Sequence, residues 1–162
     1  MKASVLYHSK SGNTKAMAEV IARGICESGD ISAKTFSVDE IDSDWVKESK
    51  CVIIGSPTYM ASISAKMKDW LDNEAGKYGL GGKIGGAFAT AKYVHGGGDL
   101  GIRLMLDTMM VFGMLVYSGG GAWGNPVIHL GPVAIDDELS RYEDTFLIYG
   151  KRMGEKTLEL FG

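Results

Sequence analysis

The sequence predicts an α/β protein, a three-layer sandwich in which a five-stranded parallel sheet carries helices on both faces. Three observations lead there. Segments of strand and helix periodicity alternate from one end of the chain to the other. The third strand segment, Cys51-Val-Ile-Ile-Gly55, is apolar throughout, as suits a strand covered on both faces. The 162 residues fit a single domain, 1–162, and no break in composition divides them.

Ala3–Tyr7 reads as the first strand. Thr14–Glu27 follows as a helix whose apolar face is Met17, Val20, Ile21, Gly24 and Ile25, with Asn13 as its N-cap. Ser32–Phe36 is more polar and suits a sheet edge. Ser37-Val-Asp-Glu40 has the pattern of a capping box before a short helix carrying Val38, Ile41 and Trp45. After Cys51–Gly55, Ser62 is placed to cap a helix with Ile63, Met67, Trp70 and Leu71 inward. Ile84–Thr90 is a fourth strand of small residues. Asp99 opens a helix with Leu104, Met105, Thr108, Met109 and Phe112 inward, stopped by Gly113. Met114–Tyr117 is the fifth strand, and Ser118–Ile135 reads as a long loop. The last helix is expected from Asp136 to Leu160, acids first and bases late, as the helix dipole favours.

Charge and composition narrow the function. A net charge of −3 with no basic stripe argues against nucleic acid as a partner. No run is long and apolar enough for a membrane span, and the N-terminus enters a strand without a signal-peptide pattern, so a cytoplasmic protein is expected. Cys26 and Cys51 stand alone, without zinc-ligand spacing, and read as reduced, buried thiols.

The chemistry concentrates in loops that leave the carboxyl ends of strands, where α/β sheets bind ligands. The first, His8-Ser9-Lys10-Ser11-Gly12-Asn13-Thr14, leads into a helix start with hydroxyl and amide side chains around one glycine. Such a loop cradles a phosphate, although ordinary capping asks for the same residues. The string G-x-x-x-x-G-K-[ST] is absent. G-x-G-x-x-G occurs at Gly96–Gly101 and Gly119–Gly124, but neither lies in the first strand-to-helix turn, so a single terminal phosphate fits better than a dinucleotide. The second loop, Gly55-Ser-Pro-Thr-Tyr-Met-Ala-Ser62, puts a stiffening Pro57, a hydroxyl at Thr58 and the large apolar Tyr59 and Met60 on the same edge. The third, Thr90-Ala-Lys-Tyr-Val-His-Gly-Gly-Gly98, adds Tyr93 and three glycines that let backbone approach a flat ring. His95-Gly-Gly-Gly98 resembles a lipase oxyanion motif, but the chain has no G-x-S-x-G elbow to go with it.

Ser9-Lys-Ser-Gly-Asn-Thr14 resembles the phosphate signature [ST]-x-[ST]-G-x-T of flavodoxins, and Gly55-Ser-Pro-Thr-Tyr59 resembles the next cofactor loop of the flavodoxin-like FMN proteins. Gly85–Val116 looks most like the NAD(P)H:quinone oxidoreductases of the WrbA type. The resemblance implies the strand order 2-1-3-4-5 and one FMN per subunit. By position, Ser9, Lys10, Ser11, Gly12, Asn13 and Thr14 would hold the phosphate. Pro57, Thr58, Tyr59 and Met60 would meet the ribityl chain and ring. Thr90, Ala91, Lys92, Tyr93, Gly96, Gly97 and Gly98 would line the isoalloxazine. Two functions follow. The preferred one is an FMN-dependent oxidoreductase passing electrons from NAD(P)H to a quinone-like acceptor, favoured by the glycine-rich third loop, the long loop after strand five and the modest net charge. The other is an electron carrier between redox protein partners. No side chain is assigned as catalytic acid or base. WrbA-type chains are longer, with an insertion linked to tetramers, so a homo-oligomer stays open here.

Overall fold

The computed structural model describes residues 1–162. Its centre is a parallel sheet built from β1 (Lys2–Tyr7), β2 (Ser32–Ser37), β3 (Cys51–Tyr59) and β5 (Ile84–Ala91), in the order β2-β1-β3-β5. β3 is buried from Cys51 to Pro57 and β5 along its whole length, which is why both read as unbroken apolar or small-residue runs. Side chains alternate across the sheet. Val5, Tyr7, Ile53 and Phe88 enter a core beneath α1 (Asn13–Cys26) and α5 (Leu139–Phe161). Leu6, Val52, Ile54 and Ala87 enter a second core beneath α2 (Ser43–Glu48), α3 (Ala65–Asn73) and α4 (Gly98–Val111). The three layers and the order 2-1-3-4-5 of parallel strands are those expected.

The fifth strand differs from the expectation. Its position is shared by two short pieces, β6 (Leu115–Val116) and β7 (Val133–Ile135). β6 pairs with the start of β5, Ile84↔Leu115, and β7 with its end, Ala91↔Ile135. Residues 117–132 leave the sheet between them. Arg152, buried in α5, holds that excursion by donating to the carbonyls of Trp123, Gly124 and Pro126. Trp123 donates its indole N–H to Tyr117 Oη at 2.8 Å, so it anchors its own loop.

Helix starts also move. α1 is entered through Gly12 in the left-handed region, φ +96°, without a side-chain cap, so Asn13 is its first residue and not its cap. The capping box at Ser37–Glu40 is a turn, and α2 is capped instead by Asp42, which accepts from Trp45 N–H. Ser62 does not cap α3. Ser62–Ile63 form β4, antiparallel to Thr58–Tyr59, and Ser64 caps the helix by accepting from Met67 N–H. Asp136 continues β7 by donating its N–H to Ala91, and α5 starts three residues later than expected, at Leu139. The buried stripe of α4 is rotated to Gly101, Ile102, Met105, Leu106 and Met109, leaving Leu104, Thr108 and Phe112 half-buried at its flank.

α1 and α5 cross closely enough that glycine is required. A Cβ on Gly24 would lie 2.2 Å from the Leu147 carbonyl oxygen, and one on Gly150 would lie 2.3 Å from that of Ile21.

Candidate functional site

The first loop leaves β1 and turns at Gly12, whose N–H donates to Ser9 Oγ at 3.1 Å. The amides of Lys10, Ser11, Asn13, Thr14 and Lys15 have no acceptor within the protein. They lie at and just before the start of a 14-residue helix, where the dipole adds partial positive charge. Lys10, Ser11 and Gly12 are exposed, Ser9 and Asn13 half-buried. Thr14 is buried, and its hydroxyl is 2.8 Å from that of Thr90.

The second and third loops face each other across a cleft of about 570 Å³. Of the expected residues, Ser11, Pro57, Thr58, Tyr59, Met60, Thr90, Ala91, Lys92, Tyr93 and Gly96 line it. Tyr59 and Tyr93 are both substantially exposed at its mouth, and Met60 is 98% exposed. Gly97 and Gly98 do not line it. A Cβ on Gly97 would strike Ala61 at 2.8 Å and one on Gly98 would strike Val133 at 2.7 Å, so these glycines seat the third loop against its neighbours. Two lining residues escaped the sequence reading, Ala61 and Asp136. Ala61 follows Met60 in a two-residue turn with φ +58° and +50°. No turn residue marks it, because the pairing of β3 with β4 imposes it. The sequence places Asp136 at a helix start, and only the register of β7 brings it to the cleft.

Thr58 Oγ1 and Asp136 Oδ1 are buried in the lining without a hydrogen-bond partner. Burying polar atoms unpaired is costly, so both are open positions for a polar ligand. Beneath the loops, His8 joins strand ends. Its N–H donates to Gly55, and its Nδ1 lies 2.8 Å from Ser64 Oγ. Ser64 Oγ accepts from Met67 N–H, which leaves its own proton for a neutral His8. Burial holds the His8 pKa below its ordinary value, with Asp39 opposing and Lys66 adding to the shift. Of the two thiols, Cys51 is buried and pushed up to about 12 by burial, whereas Cys26 is exposed, against expectation.

These features fit a phosphate-ended cofactor with a hydroxylated chain and a flat ring. Unpaired amides at a helix N-terminus suit an acceptor-only anion. The orphaned Thr58 and Asp136 oxygens suit hydroxyl groups, and the tyrosine-flanked mouth suits an aromatic system.

Known proteins agree. The family model described as Flavodoxin matches residues 5–109. A flavodoxin of Clostridium saccharobutylicum is 43% identical over 161 residues, covering 99% of this chain and 100% of its own. An NAD(P)H dehydrogenase (quinone) of Cupriavidus metallidurans is 28% identical over 158 residues, with 84% of this chain and 76% of its own covered. Among solved structures, a flavodoxin from the domain Archaea superposes with a TM-score of 0.73 at 30% identity, covering 98% of this chain and 99% of that one.

Proposed function

The chain belongs to the flavodoxin family, and we propose that it works as an FMN-bearing electron carrier between redox proteins. When bound, FMN supplies the redox chemistry by taking up and giving back electrons. The chain's residues bind and orient it. The free amides of Lys10, Ser11, Asn13, Thr14 and Lys15, with the side chains of Ser9, Ser11 and Asn13, receive the phosphate. Thr58 and Asp136 offer partners to the ribityl hydroxyls. Tyr59 and Tyr93 flank the ring, with Pro57, Ala91, Lys92 and Gly96 completing the wall.

The observation that carries the reading is the rim of the cleft, where Met60 and Tyr93 stand exposed and present an apolar surface suited to protein contact. The full-length likeness to a flavodoxin supports the same reading.

The similarity to a quinone-reducing NAD(P)H dehydrogenase favours a second one, in which the chain reduces a quinone-like acceptor itself. Anaerobic mixing of the FMN-loaded protein with NADH and with NADPH separates the two. The carrier keeps its flavin absorbance with both donors and loses it to dithionite. Rapid bleaching by either nicotinamide would overturn the carrier in favour of the enzyme.

A further inference from the structure

We propose that Thr90 is a positioning residue for the phosphate end of the cofactor, acting through Thr14 and not on the ring. The inference rests on the FMN reading above. Thr14 is the second residue of α1 and Thr90 the last but one of β5, 76 residues away, yet their hydroxyls meet at 2.8 Å. Thr14 is 1% exposed and Thr90 2%, and neither hydroxyl has another partner in the protein. Side chains alternate along β5, and Phe88 enters the α1–α5 core, so Thr90 points to that same layer and meets the start of α1.

A pair of hydroxyls holds two protons. One is used between them, and the other must leave the pair. If Thr90 donates to Thr14, the spare proton sits on Thr14 beside the unpaired amides of the first loop. An acceptor-only phosphate there selects this arrangement, because it adds one more donor aimed at the anion. Thr90, 2% exposed in the wall of the cleft, thus fixes both the rotamer of Thr14 and the direction of its proton.

The test is a titration of apoprotein with FMN and with riboflavin, which lacks the phosphate, for wild type, Thr90→Val and Thr90→Ser. Valine keeps the shape and removes the hydroxyl. Thr90→Val is expected to weaken FMN about tenfold, the scale of a misdirected hydrogen bond to a charged group, and to leave riboflavin unchanged. Thr90→Ser keeps the wild-type preference. Thr14→Val loses the same preference, and the double variant loses no more than either alone. In the apoprotein, the thermal stabilisation by inorganic phosphate falls in Thr90→Val and returns in Thr90→Ser. Should the valine variant not fold, Thr90→Ala gives the same readout. Equal weakening of FMN and riboflavin would place Thr90 on the ring or ribityl chain and overturn the proposal. So would an unchanged FMN preference in Thr90→Val. A wild-type protein that binds neither flavin would refute the cofactor reading, and this proposal with it.

Discussion

Replacing Gly24 by alanine sets two known effects against each other. Alanine in a helix interior is favoured over glycine by about 1 kcal/mol, so an unconstrained Gly24→Ala would stabilise the protein. Gly24 is constrained. Its added Cβ would lie 2.2 Å from the Leu147 carbonyl oxygen and 3.1 Å from Lys151 N, both backbone atoms of α5. No rotamer change relieves a clash with backbone, so α1 and α5 must part. Their separation would release packing in the core that holds Ile21, Ile25, Phe146 and Tyr149. Overpacking costs about 1–3 kcal/mol, and a rigid backbone contact belongs at the upper end. The net expected loss is about 2 kcal/mol, or roughly 4–8 °C in Tm for a chain of this size. Gly101 of α4 is the control, because its added Cβ would meet Ile63 at an ordinary 3.4 Å. Gly101→Ala should be neutral or gain up to about 1 kcal/mol. Urea and thermal unfolding of both apoprotein variants measure the difference. A Gly24→Ala protein as stable as wild type would refute the view that this helix crossing needs glycine.

Thr58→Val removes a buried hydroxyl that has no partner within the protein. The apoprotein should gain about 0.5–1 kcal/mol while FMN binding weakens by about 1–2 kcal/mol, and unfolding of the apoprotein with an FMN titration would refute the assignment if the signs were reversed. His8 links pH to stability, because burial lowers its folded pKa from the ordinary 6.5. A lowered folded value favours the neutral ring, so its contribution is complete above about 6.5 and is lost as the pH falls through the folded value. His8→Gln should flatten the fall in stability below about pH 6.5, and an unchanged slope in urea titrations on the acid side of that pH would refute it.

The order of elements was legible because burial on both faces writes itself into composition. β3 and β5 could not be mistaken for amphipathic segments, and the apolar face of α1 was readable from Met17 to Ile25. What escaped notice was fixed by pairing between distant segments. Val133–Ile135 is too short to stand out, and it is a strand only because β5 extends past β6 and leaves a free edge for it. With β7 goes Asp136, whose place on the cleft depends on that register. Met60–Ala61 carries none of the residues of a tight turn, so the β3–β4 hairpin has no local signature. The proposed phosphate cradle was half legible. Its hydroxyls and Gly12 were visible, but its unpaired donors are backbone amides, which every residue supplies.

The first loop and the mouth of the cleft are built from opposite chemistry, and this bears on function. The first loop is polar and fixed: backbone amides at a helix start, held to the sheet by Thr14 and Thr90. The mouth is apolar and open, with Met60 98% and Tyr93 65% exposed. Met60 and Ala61 both occupy the left-handed region, at a cost of about 1–2 kcal/mol per residue. The pairing of Tyr59 with Ser62 and the contact of Gly97 with Ala61 keep them there. Strain held in place by packing gives a rim that keeps its shape without a ligand to mould it. A carrier needs this combination. Its cofactor must be gripped at the end that takes no part in electron transfer, and its ring edge must meet successive partners on a surface that costs little to desolvate and does not have to refold at each encounter.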